Sequence, residues 1–353
     1  MAEHQDFAFF NPMNHDEIYL QRCIELAEKA AGNTFPNPLV GCVIVHNGVI
    51  IGEGYHQRAG SPHAEIHAIA SVKNPDLLRE STLYVSLEPC SHYGKTPPCA
   101  AKLVEIGFKR VVIGSTDCNE KVCGQGIKLL KQAGIDVTTG VLEKECLELN
   151  KRFFTYHEKK RPYILLKWAQ SADGFMDNNF QTAAISAQIT HQYMHQMRAE
   201  EHSILVGTNT ALNDNPSLTV RQVSGKNPIR ILIDFDLKVP SDFNIFNAEA
   251  KTFIFNSVKE MQEGHLTFIK TERQHFLKHL MATLFEEQIQ SVMIEGGRNT
   301  LQHFIDSSLW DEAVVIHNEH LHFKKGTVAP VLPVAPEGKS VISENTIYHY
   351  KNH

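Results

Sequence analysis

The chain has 353 residues, 42% of them hydrophobic and 21% charged, with a net charge of -6. That length exceeds one typical core and predicts about two domains of ordinary globular composition. The acidic balance argues against a general nucleic-acid-binding surface. No apolar run approaches the ~20 residues that cross a bilayer, and the start lacks the basic-then-apolar order of a secretory leader, so a cytoplasmic protein is expected.

Residues 1–14 read as a tail, with Phe7-Ala8-Phe9-Phe10 as a tag-like or docking cluster. Asp16 to Ala31 has helical spacing, with Ile18, Cys23, Leu26, Ala27 and Ala30 near one face and Gly32 as its stop. Leu39 to His46 and Val49 to Gly54 read as two strands joined by the hairpin signal Asn47-Gly48. A helix over His63 to Val72 puts His63 in its first turn. The strand Thr82 to Ser86 delivers Cys90, and Pro97 opens a helix to Ile106 that carries Cys99. Lys109 to Gly114 (strand), Gly126 to Ala133 (helix) and Ile135 to Thr139 (strand) complete a first domain over 15–150, an α/β sandwich around a mixed sheet.

Glu143 to Lys160 is charged and helical, with 151–160 as the expected linker to a second domain over 161–353. There the strands are Pro162 to Trp168, Ser203 to Gly207, Ile229 to Asp234, Thr252 to Phe255, Ser291 to Ile294 and Glu312 to Ile316. The helices are Ile189 to Glu201, Phe276 to Gln290 and Asn299 to Asp306. No internal repeat or low-complexity tract interrupts them. All seven cysteines lie at or before Cys146. An odd number in a non-secreted chain favours free thiols and metal ligands over disulfides, and the uneven placement supports two domains.

The strongest chemical signal is His63-Ala64-Glu65 followed by Glu88-Pro89-Cys90 and then Cys99. One histidine and two cysteines are the ligand set of a zinc-dependent nucleobase deaminase, with the glutamate two residues after the histidine as proton shuttle. An imidazole and two thiolates leave a fourth tetrahedral position open, and a metal held so lowers the pKa of water from ~15.7 toward ~7. The ligands fall at two helix starts, whose partial positive charge favours thiolate. His-x-Glu and Pro-Cys are each weak alone; only their order with a third ligand is specific. The eight residues between Cys90 and Cys99 replace the two that most such enzymes have. The bland alternative is two buried cysteines and an unrelated histidine.

In the second domain, Glu295-Gly296-Gly297 sits between a strand and a helix, where glycines let a ligand approach and the helix offers free N–H groups to phosphate. Such a turn is more often only a tight connection, and it is not the Gly-x-Gly-x-x-Gly fingerprint. Gly207-Thr208-Asn209-Thr210 also follows a strand, and the polar loop Asn213 to Arg221 ends in an arginine able to grip phosphate. Two such loops at strand ends point to a nucleotide or sugar-phosphate site.

Together these residues resemble the bifunctional riboflavin-biosynthesis family, a pyrimidine deaminase fused to a pyrimidine reductase. The first half is similar through Asn37-Pro38-x-Val40-Gly41, His63-Ala64-Glu65 and the run Glu88-Pro89-Cys90-Ser91-His92-x-Gly94-Lys95-Thr96-Pro97-Pro98-Cys99, whose long interval is the one this family uses. The second half is similar through Leu166-Lys167, Ser171-x-Asp173-Gly174, Gly207-x-x-Thr210, Asp214 to Arg221, Pro228-x-Arg230 and Glu295-Gly296-Gly297. The resemblance implies a cytidine-deaminase-like αβα sandwich followed by a dihydrofolate-reductase-like domain. It implies hydrolytic deamination of a diaminopyrimidinone bearing a ribosylamino 5-phosphate, then NADPH-dependent reduction of the ribosyl group to ribityl.

Carried over by motif, the resemblance implies one zinc ion on His63, Cys90 and Cys99, with Glu65 as general acid/base. Asn37, His56, His92 and Lys95 would line the deaminase pocket. Thr182, Arg198, Leu218, Arg221 and Glu295 would meet the reductase substrate. Ala169, Ala184, Thr210, Asp214 and the stretch Gly297, Arg298, Asn299, Thr300 would meet NADPH. Lys167 and Glu295 are the available acid/base pair for the reduction. A homodimer through the reductase half is implied, with neither nucleic acid nor membrane as partner. Ala184 stands where the family commonly has tryptophan, and the sequence after Trp310 departs from its pattern. Two other readings stay open: a deaminase of tRNA or free nucleosides, and a zinc-stabilised binding protein closed by His92 as a fourth ligand.

Overall fold

The computed structural model describes residues 13–91, 97–118 and 123–352. The Phe7 cluster, His92 and Lys95 lie outside these residues. Contacts divide the chain into two compact units. One runs up to Ala30 and resumes over Asn37–Asn150; the other takes Ala31–Pro36 and everything from Lys151 onward. No helix among the described residues is long and apolar enough to cross a membrane.

In the first unit, helix α1 (His15–Glu28) starts with a reciprocal cap: the Asn14 side chain accepts from the Glu17 N–H, and Glu17 accepts from the Asn14 N–H. Strands β1 (Gly41–His46) and β2 (Val49–Tyr55) follow, then α2 (Ala64–Ser71), β3 (Thr82–Leu87), α3 (Cys99–Ile106), β4 (Arg110–Ser115), α4 (Gln125–Gln132), β5 (Asp136–Thr139) and α5 (Glu143–Leu149). The sheet order is β2-β1-β3-β4-β5. β1 runs antiparallel to both neighbours, while β3, β4 and β5 are parallel. This is the mixed sheet expected from the sequence.

Alternation along β1 builds the layers. Cys42 and Ile44 join Ala64, Ala68, Leu103 and Leu130 on one face; Val43 and Val45 join Leu20, Cys23, Ile24 and Leu26 on the other. Burying each such aliphatic side chain contributes roughly 1.5–3 kcal/mol. A Cβ at Gly54 would lie 2.3 Å from the Ala68 nitrogen, so only glycine lets α2 rest against β2 at this separation. Ile18, expected on the buried face of α1, is 48% exposed. The expected spacing places it one step around from Leu20 and Ile24, which take the core positions.

The helix expected over 143–160 is two helices. It breaks at Asn150, whose buried amide donates to the Leu39 carbonyl and accepts its N–H, as a neighbouring strand would. The intended linker is instead α6 (Lys151–Lys159), and it clusters with the second unit. Its apolar residues Phe153, Phe154 and Tyr156 are buried, which a free linker would not achieve.

The second unit continues with β6 (Tyr163–Ser171), α7 (Gln188–Glu200), β7 (Ser203–Gly207), α8 (Thr208–Asp214), β8 (Ile229–Ile233), β9 (Thr252–Asn256), β10 (Met261–Glu263), β11 (Leu266–Lys270), α9 (Phe276–Glu286), β12 (Ser291–Ile294), α10 (Arg298–Asp306), β13 (Glu312–Asn318), β14 (Gly338–Ile342) and β15 (Asn345–Lys351). They form one sheet ordered β10-β11-β9-β8-β7-β12-β6-β13-β15-β14. From β11 to β13 all neighbours are parallel; β10, β15 and β14 pair antiparallel.

Chain order reverses around β12, which inserts between β7 and β6. Ligands of open parallel sheets bind at the carboxyl ends of strands at such a point. Ile164, Leu166 and Trp168 pack with α9 and α10; Tyr163 and Leu165 pack with α7 and α8. Sequence patterning passed over α8, β10, β11, β14 and β15. α8 is mostly Thr, Asn and Asp, which read as turn formers. β14 is mostly exposed, and β15 is rich in Tyr, His and Lys.

Candidate active sites

His63 is the N-cap of α2, with extended backbone, and Cys99 is the first residue of α3 after Pro98. Cys90 follows β3 on the loop between them. The three ligand atoms lie within 4.8 Å of one another. His63 Nδ1 is 3.5 Å from Cys90 Sγ and 3.3 Å from Cys99 Sγ. Zinc bonds of ~2.3 Å to sulfur and ~2.0 Å to nitrogen at tetrahedral angles put such atoms ~3.5 Å apart. The donor set therefore fits the ion in chemistry and in spacing.

The Cys99 N–H donates to Cys90 Sγ over 3.3 Å, the helix-start stabilisation of a thiolate expected from the sequence. The Cys99 thiol, and after it His63 and this N–H, pull the Cys90 pKa down against burial. The two thiols share a proton, so charge on Cys90 keeps Cys99 protonated. A divalent cation held by both removes that constraint.

Glu65, in the first turn of α2, is 3% exposed. Burial raises its carboxyl pKa, against the lowering by His63. A raised carboxyl pKa favours a group that both takes and gives a proton. Asn37 and His56 are brought together: Asn37 Nδ2 is 3.0 Å from His56 Nε2, and His56 Nδ1 is 3.2 Å from the Pro62 carbonyl. The His56 and His63 rings meet edge to face at 5.5 Å. Burial lowers the His56 pKa, keeping the ring neutral.

Sequence reasoning missed the work of Glu88. Its buried carboxylate accepts backbone N–H bonds from Asp117, Gly124, Gly126 and Ile127 at 2.9–3.3 Å. It caps the start of α4 and so pins the loop that presents Cys90 to its neighbour. A lone glutamate before Pro-Cys gives no hint of four backbone donors arriving from 29 to 39 residues away.

In the second unit, register carries the site. Ile294 of β12 pairs with Leu166 of β6, so the next residues, Glu295 and Lys167, fall side by side. Lys167 Nζ is 3.5 Å from Glu295 Oε1, and Arg198 Nη2 from α7 donates to Glu295 Oε2 over 2.9 Å. Burial would raise the Glu295 pKa, but Lys167 and then Arg198 override it and hold the carboxyl at about 2. Glu295 therefore stays ionised at neutral pH, in contact with the Lys167 it was expected to pair with.

The two glycine-bearing loops face each other. A Cβ on Gly207 would sit 2.7 Å from Thr300 Oγ1, and one on Gly297 would sit 3.2 Å from Thr210 Oγ1. Gly297 has φ +61 and caps α10, so Arg298, Asn299 and Thr300 form that helix's first turn. Thr210, Gly297 and Thr300 are thus gathered, as a phosphate-binding edge requires. Thr182 Oγ1 donates to the Asp214 carboxylate, joining an expected substrate residue to an expected cofactor residue. Ala169 lies in β6 opposite Ile316, and Ala184 is exposed beside Ile185. Neither alanine carries a polar side-chain atom, so their expected role rests on position alone. Leu218 is buried with φ +52, and Arg221 Nη1 donates to Thr219 Oγ1 over 3.1 Å.

Comparison with known proteins covers both units. Residues 13–115 match the cytidine and deoxycytidylate deaminase zinc-binding region, and residues 162–319 match the RibD C-terminal domain. The riboflavin biosynthesis protein RibD of Aquifex aeolicus is 40% identical over 307 residues, covering 85% of this chain and 86% of that protein. RibD of Escherichia coli is 37% identical over 319 residues, with 85% and 86% covered. The diaminohydroxyphosphoribosylaminopyrimidine deaminase/5-amino-6-(5-phosphoribosylamino)uracil reductase of Thermotoga maritima superposes with a TM-score of 0.89 at 34% identity, over 96% of this chain and 99% of that one. Matched in both halves and along most of its length, the chain belongs to the RibD family, bifunctional enzymes of riboflavin biosynthesis that join a zinc-binding deaminase to a reductase.

Proposed function

We propose that the chain hydrolyses the amine of 2,5-diamino-6-(5-phosphoribosylamino)pyrimidin-4(3H)-one and then reduces the ribosyl group of the product to ribityl with NADPH. The observation that carries this reading is the meeting of His63, Cys90 and Cys99 beside a buried Glu65. One zinc ion per chain, held by those three residues, supplies Lewis acidity that makes water a nucleophile at neutral pH. Glu65 takes the proton of the attacking water and delivers it to the amine, so the C–N bond breaks and ammonia leaves. Asn37 and the neutral His56 orient the pyrimidine edge, and His92 and Lys95 belong to the same pocket by motif.

In the reductase unit the nicotinamide cofactor supplies the hydride. Lys167 gives a proton to the ribose ring oxygen as that C–O bond opens. Glu295 holds Lys167 in place, while Arg198 holds Glu295. Thr182, Leu218 and Arg221 bind substrate, with Arg221 on its phosphate. Ala169, Ala184, Thr210, Asp214 and Gly297 through Thr300 bind NADPH. A homodimer through this unit is favoured by the family and by exposed valines on and before edge strand β14, Val331 and Val341, each 69% exposed. A single-chain mass by light scattering at micromolar concentration removes that part.

The test of the reading is ammonia release from the diaminopyrimidine substrate by purified protein, with NADPH and NADH compared as reductants on the deaminated product. Ammonia without Glu65, or equal use of the two cofactors, contradicts the corresponding step.

A further inference from the structure

The segment Thr219 to Arg221 pairs with no strand among the described residues, yet it is fastened at two points by one helix. Arg198 Nη1 of α7 donates to the Thr219 carbonyl over 2.9 Å. The Arg221 N–H donates to the Nδ1 of His195, on the same helix, over 3.2 Å. His195 and Arg198 are three residues apart, hence on one face of α7. Two side chains thereby imitate the alternate acceptor and donor of a neighbouring strand. The segment needs such support, because Leu218 just before it holds φ +52, a left-handed conformation that non-glycine residues adopt at a cost.

We propose that His195 is a positioning residue for the reductase: its Nδ1 fixes the Arg221 backbone so that the Arg221 guanidinium meets the phosphate of the substrate. This rests on the reading of Arg221 given above. Accepting at Nδ1 requires a neutral ring with its proton on Nε2. The ring is 6% exposed, and burial, then the charges of Arg198 and Arg221, bring its pKa down to about 4. His191 pushes in the same direction and Glu295 in the opposite one. The imidazole therefore remains an acceptor throughout the neutral range. Arg198 then has two tasks, holding Glu295 and the Thr219 carbonyl, whereas the His195 ring bonds the arm that carries Arg221.

The test uses the full-length, zinc-loaded enzyme and the deaminated phosphoribosylaminopyrimidine. His195→Leu removes the acceptor; His195→Asn restores one near the position of Nδ1. Loss of a hydrogen bond that orders a binding arm is worth up to ~10-fold. The expected result is a KM for the phosphorylated substrate about tenfold higher in His195→Leu, kcat within about twofold, and an unchanged KM for NADPH. His195→Asn should return most of the loss, and the same substrate without its phosphate should show no penalty. An unchanged KM in His195→Leu overturns the proposal. So does an equal loss in both variants, or a parallel loss of NADPH affinity, which marks general damage. Arg221→Ala separates the two layers: if it leaves the preference for the phosphorylated substrate intact, the reading of Arg221 has failed, whatever His195 does.

Discussion

The two sites neutralise their charge in opposite ways. In the first unit, two thiols and an imidazole converge with a buried carboxyl nearby, and charge on Cys90 opposes ionisation of Cys99. In the second, Glu295 lies between Lys167 and Arg198 and is ionised by its own neighbours. The first site is completed by something the chain must bind; the second brings its own counter-charges. One consequence is that chelation and single charge substitutions should separate the two activities, although one chain carries both.

The largest expected effect is at Glu65. Glu65→Gln keeps the shape but cannot accept a proton, so deamination should fall ~10²–10⁴-fold, the usual share of general acid/base catalysis. Reduction assayed on the deaminated substrate should be unchanged. A parallel fall in both rates would mean that the sites are not independent.

Lys167→Met should lower reductase kcat by ~10²-fold or more through loss of the proton donor, with ammonia release intact. Glu295→Gln sharpens the assignment. It leaves Lys167 and Arg198 as buried like charges, and breaking such a pair costs ~3–5 kcal/mol. That variant should therefore lose thermal stability in the second unit along with activity, whereas Lys167→Met should lose mainly kcat. If Glu295→Gln retains full turnover, the clamp around Lys167 is not needed.

Smaller effects test the scaffolds. Glu88→Gln keeps part of the acceptor set but removes the charge at the α4 start, so zinc should be lost to a competing chelator sooner, with the reductase KM values unmoved. In the second unit, folded-state pKa values near 4 for His195 and for His202, a buried ring just before β7 that stacks on Phe35, lie below the ordinary 6.5. Each contributes stability that is complete above pH 6.5 and is lost as pH falls toward 4, because the unfolded chain binds the proton first. Chemical denaturation at pH 7 and pH 4.5 should show a lower midpoint at the acid value, and His195→Asn should reduce that difference.

How much of this was legible in the sequence differs between the sites for a physical reason. The metal site is written in a short interval: His63, Glu65, Cys90 and Cys99 are distinctive residue types, three of them at the starts of α2 and α3 and Cys90 on the loop after β3. The reductase clamp depends on register. Lys167 and Glu295 meet because β12 inserts beside β6, a pairing of residues 128 positions apart that no local pattern specifies. The family resemblance supplied those residues; periodicity alone could not. The same limit explains why α8 and the polar β15 were passed over while β7, uniformly buried, was found to the residue. Glu88 and His195 stayed hidden because their partners are backbone N–H groups, which leave no mark on the sequence.

The most direct test is a coupled assay with the diaminopyrimidine ribosylamino phosphate, following ammonia release and NADPH absorbance together before and after zinc chelation. The two-site account predicts that NADPH is consumed only after ammonia appears. Chelation should stop both, and adding the deaminated substrate to the chelated enzyme should restart NADPH consumption alone. NADPH loss without prior ammonia, or a chelated enzyme that cannot reduce the deaminated substrate, would contradict it.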